Sequence, residues 1–370
     1  PQLAEKLGIG ERHFRRLFQK HMGTNPQTVS LNRRLLMAKQ LLTESDLTIT
    51  EVAHASGFQS LRRFNDAMKK NFSLIPKDIR KHYTSKPGSQ DNGLSLKLSY
   101  SPPYDWEKII NYLKPRAIPG VEFVSDDLYA RSFQLNGKSG HFTITHDMQG
   151  KNLRATVHFP DITALPVILS RIRNIFDLDA NIAVINDHLS RHPDLKWRIN
   201  KCPGIRVIGS WDPFELTVRA ILGQQVSVAA ATTLIGRIVT RYGIRLDGQH
   251  DNLSHIFPPA EILAKSDLSA MGITGNRIKA IVNLAQTVAD NPDFFDAPKT
   301  LEEFIKHICN LPGIGEWTAN YIAMRAIRDA DAFPASDLVL LKRMEKDGAR
   351  PTPRQLELIS ENWRPWRAYA

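Results

Sequence analysis

Cysteine is scarce in this chain, with Cys202 and Cys309 as its only two thiols among 370 residues. Two thiols rule out a disulfide framework, a four-cysteine zinc site and a four-cysteine iron–sulfur cluster built from this chain alone. We expect both to be buried and free. The sequence also lacks any apolar run near the ~18–20 residues that span a bilayer, and its first residues lack a signal-peptide pattern. These absences predict an intracellular protein with no membrane partner.

What the chain has in excess is positive charge, and that charge is unevenly distributed. The formal net charge is +11 at pH 7. Residues 1–82 hold 15 Lys and Arg against 7 Asp and Glu, whereas the remaining 288 residues hold 34 against 31. A cationic segment joined to a nearly neutral one indicates a separate nucleic-acid-binding module, although a solvated charged face would have the same composition. The length predicts two or three domains.

Residues 1–82 contain an imperfect internal repeat. In each copy a short helix, a turn at a glycine (Gly8 or Gly57) and a basic helix are expected, with a stop at a proline (Pro26 or Pro76). Helix–turn–helix units of this kind place their second helix in the major groove. The candidate DNA-binding arginines of these second helices are Arg12, Arg15 and Arg16 in one copy, and Arg62 and Arg63 in the other. Between the copies, LNRRLLMAKQLL predicts a connecting helix.

This segment resembles the AraC-type DNA-binding domain, in which a long helix joins two such motifs. The resemblance is most specific in the second copy, ITEVAHASGFQSLRRFNDAMKKNFSLIP. It implies sequence-specific binding to promoter DNA through the N-terminal module.

The rest of the chain changes its periodicity twice. A polar stretch at 83–95 predicts a linker. Alternating segments then predict antiparallel strands, interrupted by a helix that contains Trp106 and Leu113. From about residue 166 the pattern is helical. We therefore expect a mainly α protein with a smaller α+β domain, in four parts: a double helix-turn-helix at 1–82, the linker at 83–95, a β-rich antiparallel sheet domain at 96–180 and an all-α domain at 181–370.

The strongest motif is LPGIGEWTANY at residues 311–321. Two glycines, Gly313 and Gly315, stand in a tight loop between two helices, where the backbone can approach a phosphate closely. The loop N–H groups, and those of the next helix up to Thr318, can then bind the anion. This is the helix–hairpin–helix signature, which contacts DNA without reading its sequence because only backbone groups are used.

Sixteen residues beyond Tyr321, Asp337 follows the turn FPAS. On its own this residue could simply cap the next helix, DLVLLKRM. Together with the hairpin, however, it resembles the helix–hairpin–helix glycosylase superfamily, in which an Asp at this position is catalytic.

Further motifs narrow the resemblance. These motifs are PPYDW, YARSF, VRAILGQQVSVAAAT, the hairpin and WRPWRAYA. In this order they resemble the motifs of the bacterial AlkA-type 3-methyladenine DNA glycosylases. In that family the first part is β-rich and the helical remainder holds the active site.

The chemistry of that family suits these residue types. The target nucleotide must leave the helix at a cost of a few kcal/mol, and an alkylated ring nitrogen makes the base cationic. Aromatic rings attract a cation by ~0.5–2 kcal/mol each. Trp317 and Tyr321, at i and i+4, share one helix face, and the resemblance places Tyr112 with them. Core packing is the alternative role for each ring.

The resemblance assigns Asp337 to stabilise the oxocarbenium-like sugar and to orient water. Relatives that also cut the backbone use a Lys nucleophile, and in some of them that Lys stands where this chain has Trp317, so we expect a monofunctional enzyme. In the loop GQQVS, the resemblance aligns Gln225 with a leucine that, in the best-known family member, inserts into the gap left by the flipped base. Gln225 could fill this gap in the same way, or it could hydrogen-bond the base that has lost its partner. We expect WRPWRAYA to start a helix, with Trp363, Trp366 and Tyr369 in one stripe.

The sequence therefore predicts a DNA repair glycosylase for alkylated bases of the 3-methyladenine and 7-methylguanine class, joined to a transcription-regulator module. The alternative is an alkylation-responsive regulator whose glycosylase half is non-catalytic. The expected partners are alkylated double-stranded DNA and promoter DNA, and we expect a monomer in the bacterial cytoplasm, at the nucleoid. No cofactor is required and no metal is expected on side chains, although backbone carbonyls of the hairpin could hold a monovalent cation.

Overall fold

A computed structural model describes residues 2–45, 47–81, 93–248, 252–296, 298, 300–345 and 348–370. The chain divides into two compact units, which are Pro1–Lys97 with Asp161–Ile168, and Leu98–Pro160 with Leu169–Ala370. Most of the predicted linker, 83–92, lies outside the described residues. Among the residues that are described, no helix is both long and apolar enough to cross a membrane.

The first unit contains the two predicted helix-turn-helix motifs and their connecting helix. Its helices are α1 (Gln2–Lys6), α2 (Glu11–Met22), α3 (Pro26–Glu44), α4 (Ile49–Ala55), α5 (Leu61–Phe72) and α6 (Pro76–Lys81). Gly8 and Gly57 make the turns with φ of 63° and 78°, a backbone region that costs glycine little. The glycine of each copy is therefore the residue that lets the chain turn between its two helices.

The predicted role of the two prolines was wrong in one respect. The basic helices α2 and α5 end before them, at Gly23 and Ser73, both in the left-handed region. Pro26 and Pro76 are instead the first residues of α3 and α6. Proline suits this position because a first-turn N–H has no partner within the helix, and because its fixed φ is already helical.

The second unit begins with the β-rich part that the alternating pattern predicted. Its elements are β1 (Leu94–Ser99, of which Leu98 and Ser99 fall in this unit), α7 (Trp106–Leu113), β2 (Glu122–Val124), β3 (Leu128–Leu135), β4 (Lys138–Asp147) and β5 (Asn152–His158). The strand order is β1-β5-β4-β3-β2, and β2–β3, β3–β4 and β4–β5 pair antiparallel. The prediction of an antiparallel sheet interrupted by one helix is confirmed.

Helices follow, with one small exception in the pair β6–β7. The elements are α8 (Leu165–Phe176), α9 (Ile182–Leu189), α10 (Pro193–Lys201), α11 (Pro213–Leu222), α12 (Val228–Tyr242), β6 (Ile244–Arg245), β7 (His255–Ile256), α13 (Ala260–Leu263), α14 (Gly275–Asp290), α15 (Leu301–Cys309), α16 (Glu316–Ile322), α17 (Leu338–Arg343) and α18 (Pro353–Ser360). Helix α11 lies at the centre of the core, in contact with α12, α14 and α16.

The C-terminal segment departs from its prediction. Instead of starting a helix, WRPWRAYA contributes to two short 3₁₀ turns, Glu361–Trp363 and Arg367–Tyr369. Pro365 lies between them and has no N–H with which to continue a helix. The predicted packing of the aromatic residues nevertheless occurs, since Trp363 is buried in a second hydrophobic cluster and Trp366 and Tyr369 pack against it.

A buried ion-pair network joins the sheet to α11. Glu122 on β2 accepts hydrogen bonds from Arg131 Nη1 and Arg219 Nη1, both at 3.0 Å, and from Tyr129 Oη at 2.7 Å. Arg131 also pairs with Glu215 of α11. Burial raises the pKa of Glu122, but Arg219 and Arg131 outweigh it and lower this pKa to about 2. The contribution of ionised Glu122 to the free energy of unfolding is therefore complete above the ordinary carboxyl pKa, and it is lost as the pH falls toward 2.

Replacing Arg131 by Met should lower the free energy of unfolding by about 3 kcal/mol, because Glu122 and Glu215 would stay buried with one partner fewer. Urea denaturation of the full chain measures this. The control is Arg191→Met, which breaks the exposed Arg191–Asp187 pair and should cost less than about 1 kcal/mol. Equal losses for the two variants would show that the network does not stabilise the fold.

Candidate active site

A cavity of about 710 Å³ opens in the second unit. Its walls come from α7, the start of α12, the segment 205–208, helix α16, the turn before α17 and the C-terminal segment. Four residues predicted to act together from the sequence all line it, namely Asp337, Trp317, Tyr321 and Tyr112. The fold therefore brings to one cavity side chains that lie more than 200 positions apart in the sequence.

The hairpin between α15 and α16 forms as the glycines predicted. Gly313 has φ of 83°, and a Cβ there would lie 2.9 Å from the Cβ of Ala280, so both backbone and space require glycine. Gly315 is extended, and nothing lies within 4 Å of where its Cβ would be. It precedes α16, whose first N–H groups receive no side-chain cap. Uncapped N–H groups at the start of a helix are the kind of donor that can bind an anion.

For Thr318, the predicted contact with DNA is made by its backbone N–H and not by its side chain. Its side chain is buried, and its Oγ1 lies 3.3 Å from Nε2 of Gln224, which donates to it. Only its backbone N–H, in the first turn of α16, remains for a phosphate.

Asp337 caps α17 and also lines the cavity. Its Oδ1 caps α17 by accepting hydrogen bonds from the N–H groups of Val339 at 2.8 Å and Leu340 at 3.0 Å. Its Oδ2 accepts from the indole Nε1 of Trp317 at 2.9 Å. Three donors thus fix the carboxylate at the wall of the cavity, with one oxygen turned toward the aromatic face of α16.

Aromatic residues of α7 and α16 line this cavity. The rings of Trp317 and Tyr321 are stacked, with centroids 5.5 Å apart and planes 10° apart. The i, i+4 spacing predicts only that they share one helix face. Tyr112 reaches the cavity from α7. The guanidinium of Arg116 lies 4.0 Å from the centroid of the Tyr112 ring, and that of Arg325 lies 5.1 Å from it.

Arg325 is a cavity residue that the sequence analysis missed. It is buried, and its Nε donates to the carbonyl of Ile208 at 2.7 Å and its Nη2 to that of Gly209 at 3.2 Å. Its Nη1 donates to the hydroxyl of Tyr321. The signal was present, since Tyr321 and Arg325 repeat the i, i+4 spacing of Trp317 and Tyr321. Burial raises the pKa of Tyr321, but Arg325 more than offsets this, so that the pKa lies below its ordinary value.

The loop before α12 carries Gln225, which is exposed and has φ of 55°. The neighbouring Gln224, also missed from the sequence, fixes the loop to the hairpin, because its Nε2 donates to the carbonyl of Gly313 at 2.9 Å. Arg277 of α14 donates to the carbonyl of Gln224. The structure thus places Gln225 beside the hairpin, at the tip of a loop that is held from two sides.

In the first unit, the five predicted DNA-binding arginines are all exposed: Arg12, Arg15 and Arg16 on α2, and Arg62 and Arg63 on α5. Arg15 pairs with Glu11 on the same helix. Helix α2 has no buried residue, whereas α5 buries Phe64 and Met68. The two copies therefore expose their basic faces alike but differ in how firmly the helices are packed.

Metal-binding side chains do not cluster in the part of the chain that the structure describes, where no group of three or more His, Cys, Asp or Glu could hold an ion. Cys202 and Cys309 are free and half-buried. Burial raises the pKa of the Cys309 thiol, which makes it a weaker nucleophile at neutral pH.

Three family models together cover most of the chain. A helix-turn-helix domain matches residues 3–82, the AlkA N-terminal domain matches residues 95–212, and the HhH-GPD superfamily of base excision DNA repair proteins matches residues 218–368.

Individual proteins agree with these models. The chain is 35% identical to a probable bifunctional transcriptional activator/DNA repair enzyme AlkA of Mycobacterium tuberculosis, over 100% of this chain and 74% of that protein. It is also 35% identical to the DNA-3-methyladenine glycosylase 2 of Escherichia coli, over 74% of this chain and 94% of that protein. A solved 3-methyladenine DNA-glycosylase from Archaeoglobus fulgidus shares the fold, with a TM-score of 0.63 at 20% identity over 74% of this chain and 94% of that one.

Sequence, fold and site geometry therefore agree, and the chain belongs to the AlkA family of base excision DNA repair glycosylases, in a form that also carries an AraC-type helix-turn-helix domain.

Proposed function

We propose that this protein hydrolyses the N-glycosidic bond of alkylated bases in duplex DNA, of the 3-methyladenine and 7-methylguanine class, and leaves an abasic site. The observation that carries the proposal is the carboxylate of Asp337, held by three N–H donors at a cavity whose aromatic wall is the stacked pair Trp317 and Tyr321. Family membership supports the reaction class.

Binding begins at the DNA backbone. The open approach at Gly315 and the uncapped start of α16 let N–H groups bind a phosphate. The target nucleotide then leaves the stack at a cost of a few kcal/mol. Gln225 compensates for this cost, either by wedging into the gap or by bonding the orphaned base. Its anchored loop favours both roles equally.

The flipped base enters the cavity, whose volume of about 710 Å³ is ample for a purine. An alkylated purine carries positive charge, and the faces of electron-rich rings attract it by ~0.5–2 kcal/mol each. Trp317, Tyr321 and Tyr112 supply these rings. The charge also makes the base a good leaving group, so this step requires no strong acid and no cofactor.

Asp337 acts on the sugar. As the bond to the base breaks, its electron pair moves to the base and positive charge develops on the sugar ring. The fixed carboxylate stabilises this charge and orients the water that attacks it. Because the hydrogen bonds to Asp337 exist before the base arrives, little reorganisation is needed in the transition state.

The lysine chemistry of bifunctional relatives is disfavoured here. Lys108 does line the cavity, but it pairs with Asp105, and that hydrogen bond raises the pKa of the Lys108 ammonium. A Schiff-base nucleophile needs the opposite shift. With Trp317 where some relatives have lysine, monofunctional hydrolysis is the proposed outcome.

The N-terminal module adds promoter binding to this activity, through Arg12, Arg15, Arg16, Arg62 and Arg63. The alternative, a regulator with a non-catalytic glycosylase half, is disfavoured because Asp337 and its aromatic neighbours are all in place. The proposal keeps the domain limits 1–82, 83–95, 96–180 and 181–370, a monomeric state, a monovalent cation on hairpin carbonyls, and a location at the nucleoid in the cytoplasm, where the DNA substrate is found.

Asp337→Asn should slow base release on the order of 10²–10³-fold, since the amide keeps a capping oxygen but loses the charge that stabilises the sugar. Single-turnover release of 7-methylguanine from a duplex measures it, while a gel-shift assay should find duplex binding retained. Asp212→Asn is the control, because Asp212 caps α11 in the same way and does not line the cavity. A rate for Asp337→Asn within about threefold of the parent would show that Asp337 is not a catalytic residue.

Trp317→Phe keeps a ring to stack on Tyr321 and removes the N–H that Asp337 accepts. A hydrogen bond to a charged group contributes about 1.5–3 kcal/mol, so the maximal rate should fall on the order of tenfold or more, with a smaller change in the half-saturating enzyme concentration. The control is the same substitution at an exposed position, Trp197→Phe on α10. A loss confined to binding would mean that Trp317 serves only as a stacking surface.

Arg62→Gln combined with Arg63→Gln should weaken binding of the chain to undamaged duplex DNA. If both arginines contact phosphates, the slope of log K against log salt should decrease in magnitude by about 2. Fluorescence anisotropy over a salt series measures this slope. The control is the double variant Lys151→Gln and Arg154→Gln, which removes the same charge from exposed positions around β5. An identical change in its salt slope would show that the N-terminal module has no specific role in DNA binding.

A further inference from the structure

A second, much smaller cavity adjoins the candidate active site within the second unit, and we call it the inner cavity. Its volume is about 20 Å³, enough for about one water-sized occupant. Its lining includes residues of β2, β3, α11 and the segment 209–211. Arg325, Arg116 and Arg219 line both the inner cavity and the large one. These three side chains therefore form a wall that the two cavities share.

Two polar groups at the inner cavity lack an acceptor in the described part of the chain. Nε of Arg131 and Oγ of Ser210 are both shielded from solvent, and neither forms a hydrogen bond with a described residue. Both residues line the inner cavity, and Arg131 is only 2% exposed. The two Nη atoms of Arg131 already donate to Glu122 and Glu215. Because an unsatisfied buried donor is costly, these two groups require an acceptor in the space beside them.

Positive charge is in excess around the inner cavity. Its described lining residues include four guanidinium groups and two carboxylates, namely Arg116, Arg131, Arg219, Arg325, Glu122 and Glu215. Both carboxylates pair with the same two arginines, Arg131 and Arg219. The other two arginines form no ion pair with a described residue, and they donate instead to backbone carbonyls and to the hydroxyl of Tyr321. Since a guanidinium group stays protonated, titration does not remove this excess.

Size and charge together select the occupant. The surrounding guanidinium groups would repel a cation, and polyatomic anions such as phosphate or acetate are too large for the space of about one water molecule. Water could accept from both donors, but it would leave the excess charge in place, whereas buried charges in proteins are normally paired. A halide ion accepts several hydrogen bonds, fits the space and carries the opposite charge. Chloride is the halide that ordinary aqueous surroundings supply.

We propose that the inner cavity binds a single chloride ion through Nε of Arg131 and Oγ of Ser210, and that this ion offsets the positive charge behind the aromatic cavity. The binding of the ion does not depend on the proposed function. Its effect on base release does rest on that function. A cationic base in the large cavity is repelled by the shared wall of arginines, and a negative charge behind that wall weakens the repulsion.

Bromide locates the ion, because it replaces chloride and scatters X-rays anomalously. Crystals of the full chain grown in sodium bromide should show an anomalous peak inside the inner cavity, within hydrogen-bonding distance of Arg131 and Ser210. Density for a water molecule without an anomalous peak would overturn the inference. This experiment requires no variant, so it decides the question even if a substitution at the cavity prevents folding.

Thermal unfolding measures the binding in solution. The melting temperature of the full chain should be a few degrees higher in sodium chloride than in sodium acetate of equal ionic strength. It should approach saturation with chloride, as binding of a ligand at one site of the folded state requires. Ser210→Ala removes one of the two donors and should abolish most of this difference.

Ser360→Ala is the matched control, because Ser360 is also buried but its Oγ donates to the carbonyl of Glu357, away from the inner cavity. This variant should keep the full difference between the two salts. An undiminished difference in Ser210→Ala would show that chloride acts elsewhere on the protein, and the assignment of the site would be wrong.

Base release measures the effect of the ion on the large cavity. With saturating protein, the full chain should release 7-methylguanine several-fold faster in chloride than in acetate, and Ser210→Ala should lose this advantage while Ser360→Ala keeps it. Equal rates of the parent in the two salts would overturn the proposed offset of charge. Release in neither salt would instead contradict the proposed glycosylase function, and the bromide and melting experiments would still decide whether the ion binds.

Discussion

The hydrogen bond from the indole of Trp317 to the carboxylate of Asp337 is the contact on which the rest of the site depends. It joins the first turn of α16, which follows the hairpin, to the first turn of α17. The group proposed to bind phosphate and the group proposed to stabilise the sugar are therefore fixed in one frame. Because the remaining oxygen of Asp337 caps α17, the carboxylate cannot rotate without uncapping a helix.

Arginines extend this frame behind the cavity. Arg325 and Arg328, at either end of one turn, donate to carbonyls of the irregular segment Val207–Gly209. Such a segment cannot satisfy its carbonyls within a sheet or helix, and leaving them unpaired in the interior would cost about 1–3 kcal/mol each. Guanidinium groups, with five donors in a fixed plane, satisfy several acceptors at once. Arg325, which lines the cavity, thus also holds the segment that forms part of its wall.

The features that could be predicted from the sequence are those that short stretches of residues determine, such as turns, strands and helix faces. The glycines predicted the turns and the hairpin, the alternation predicted strands β1 to β5, and the i, i+4 spacing predicted that Trp317 and Tyr321 share one helix face. Arg325 was missed although it lies at i+4 from Tyr321, because an arginine is rarely buried and its spacing alone does not indicate that it is. The structure of WRPWRAYA was wrongly predicted, since Pro365 interrupts a pattern that otherwise suits a helix. The partners of Gln224 and Asp337 depend on contacts between distant segments, which spacing alone cannot give.

The arginines of the two parts of the chain differ in their exposure, and therefore in how much they contribute to the attraction of DNA. The nearly neutral balance of residues 83–370 includes arginines such as Arg131, Arg206, Arg325 and Arg367, which are buried and bond to the protein itself. Those charges add little to long-range attraction for DNA. In residues 1–82 the arginines of α2 and α5 are exposed and can release counterions on binding. Under the proposed function, attraction to DNA is therefore concentrated in the N-terminal helices, and the hairpin is proposed to position DNA through neutral N–H groups. A lesion-specific site benefits from this division, because strong phosphate attraction at the cavity would hold undamaged DNA as firmly as damaged DNA.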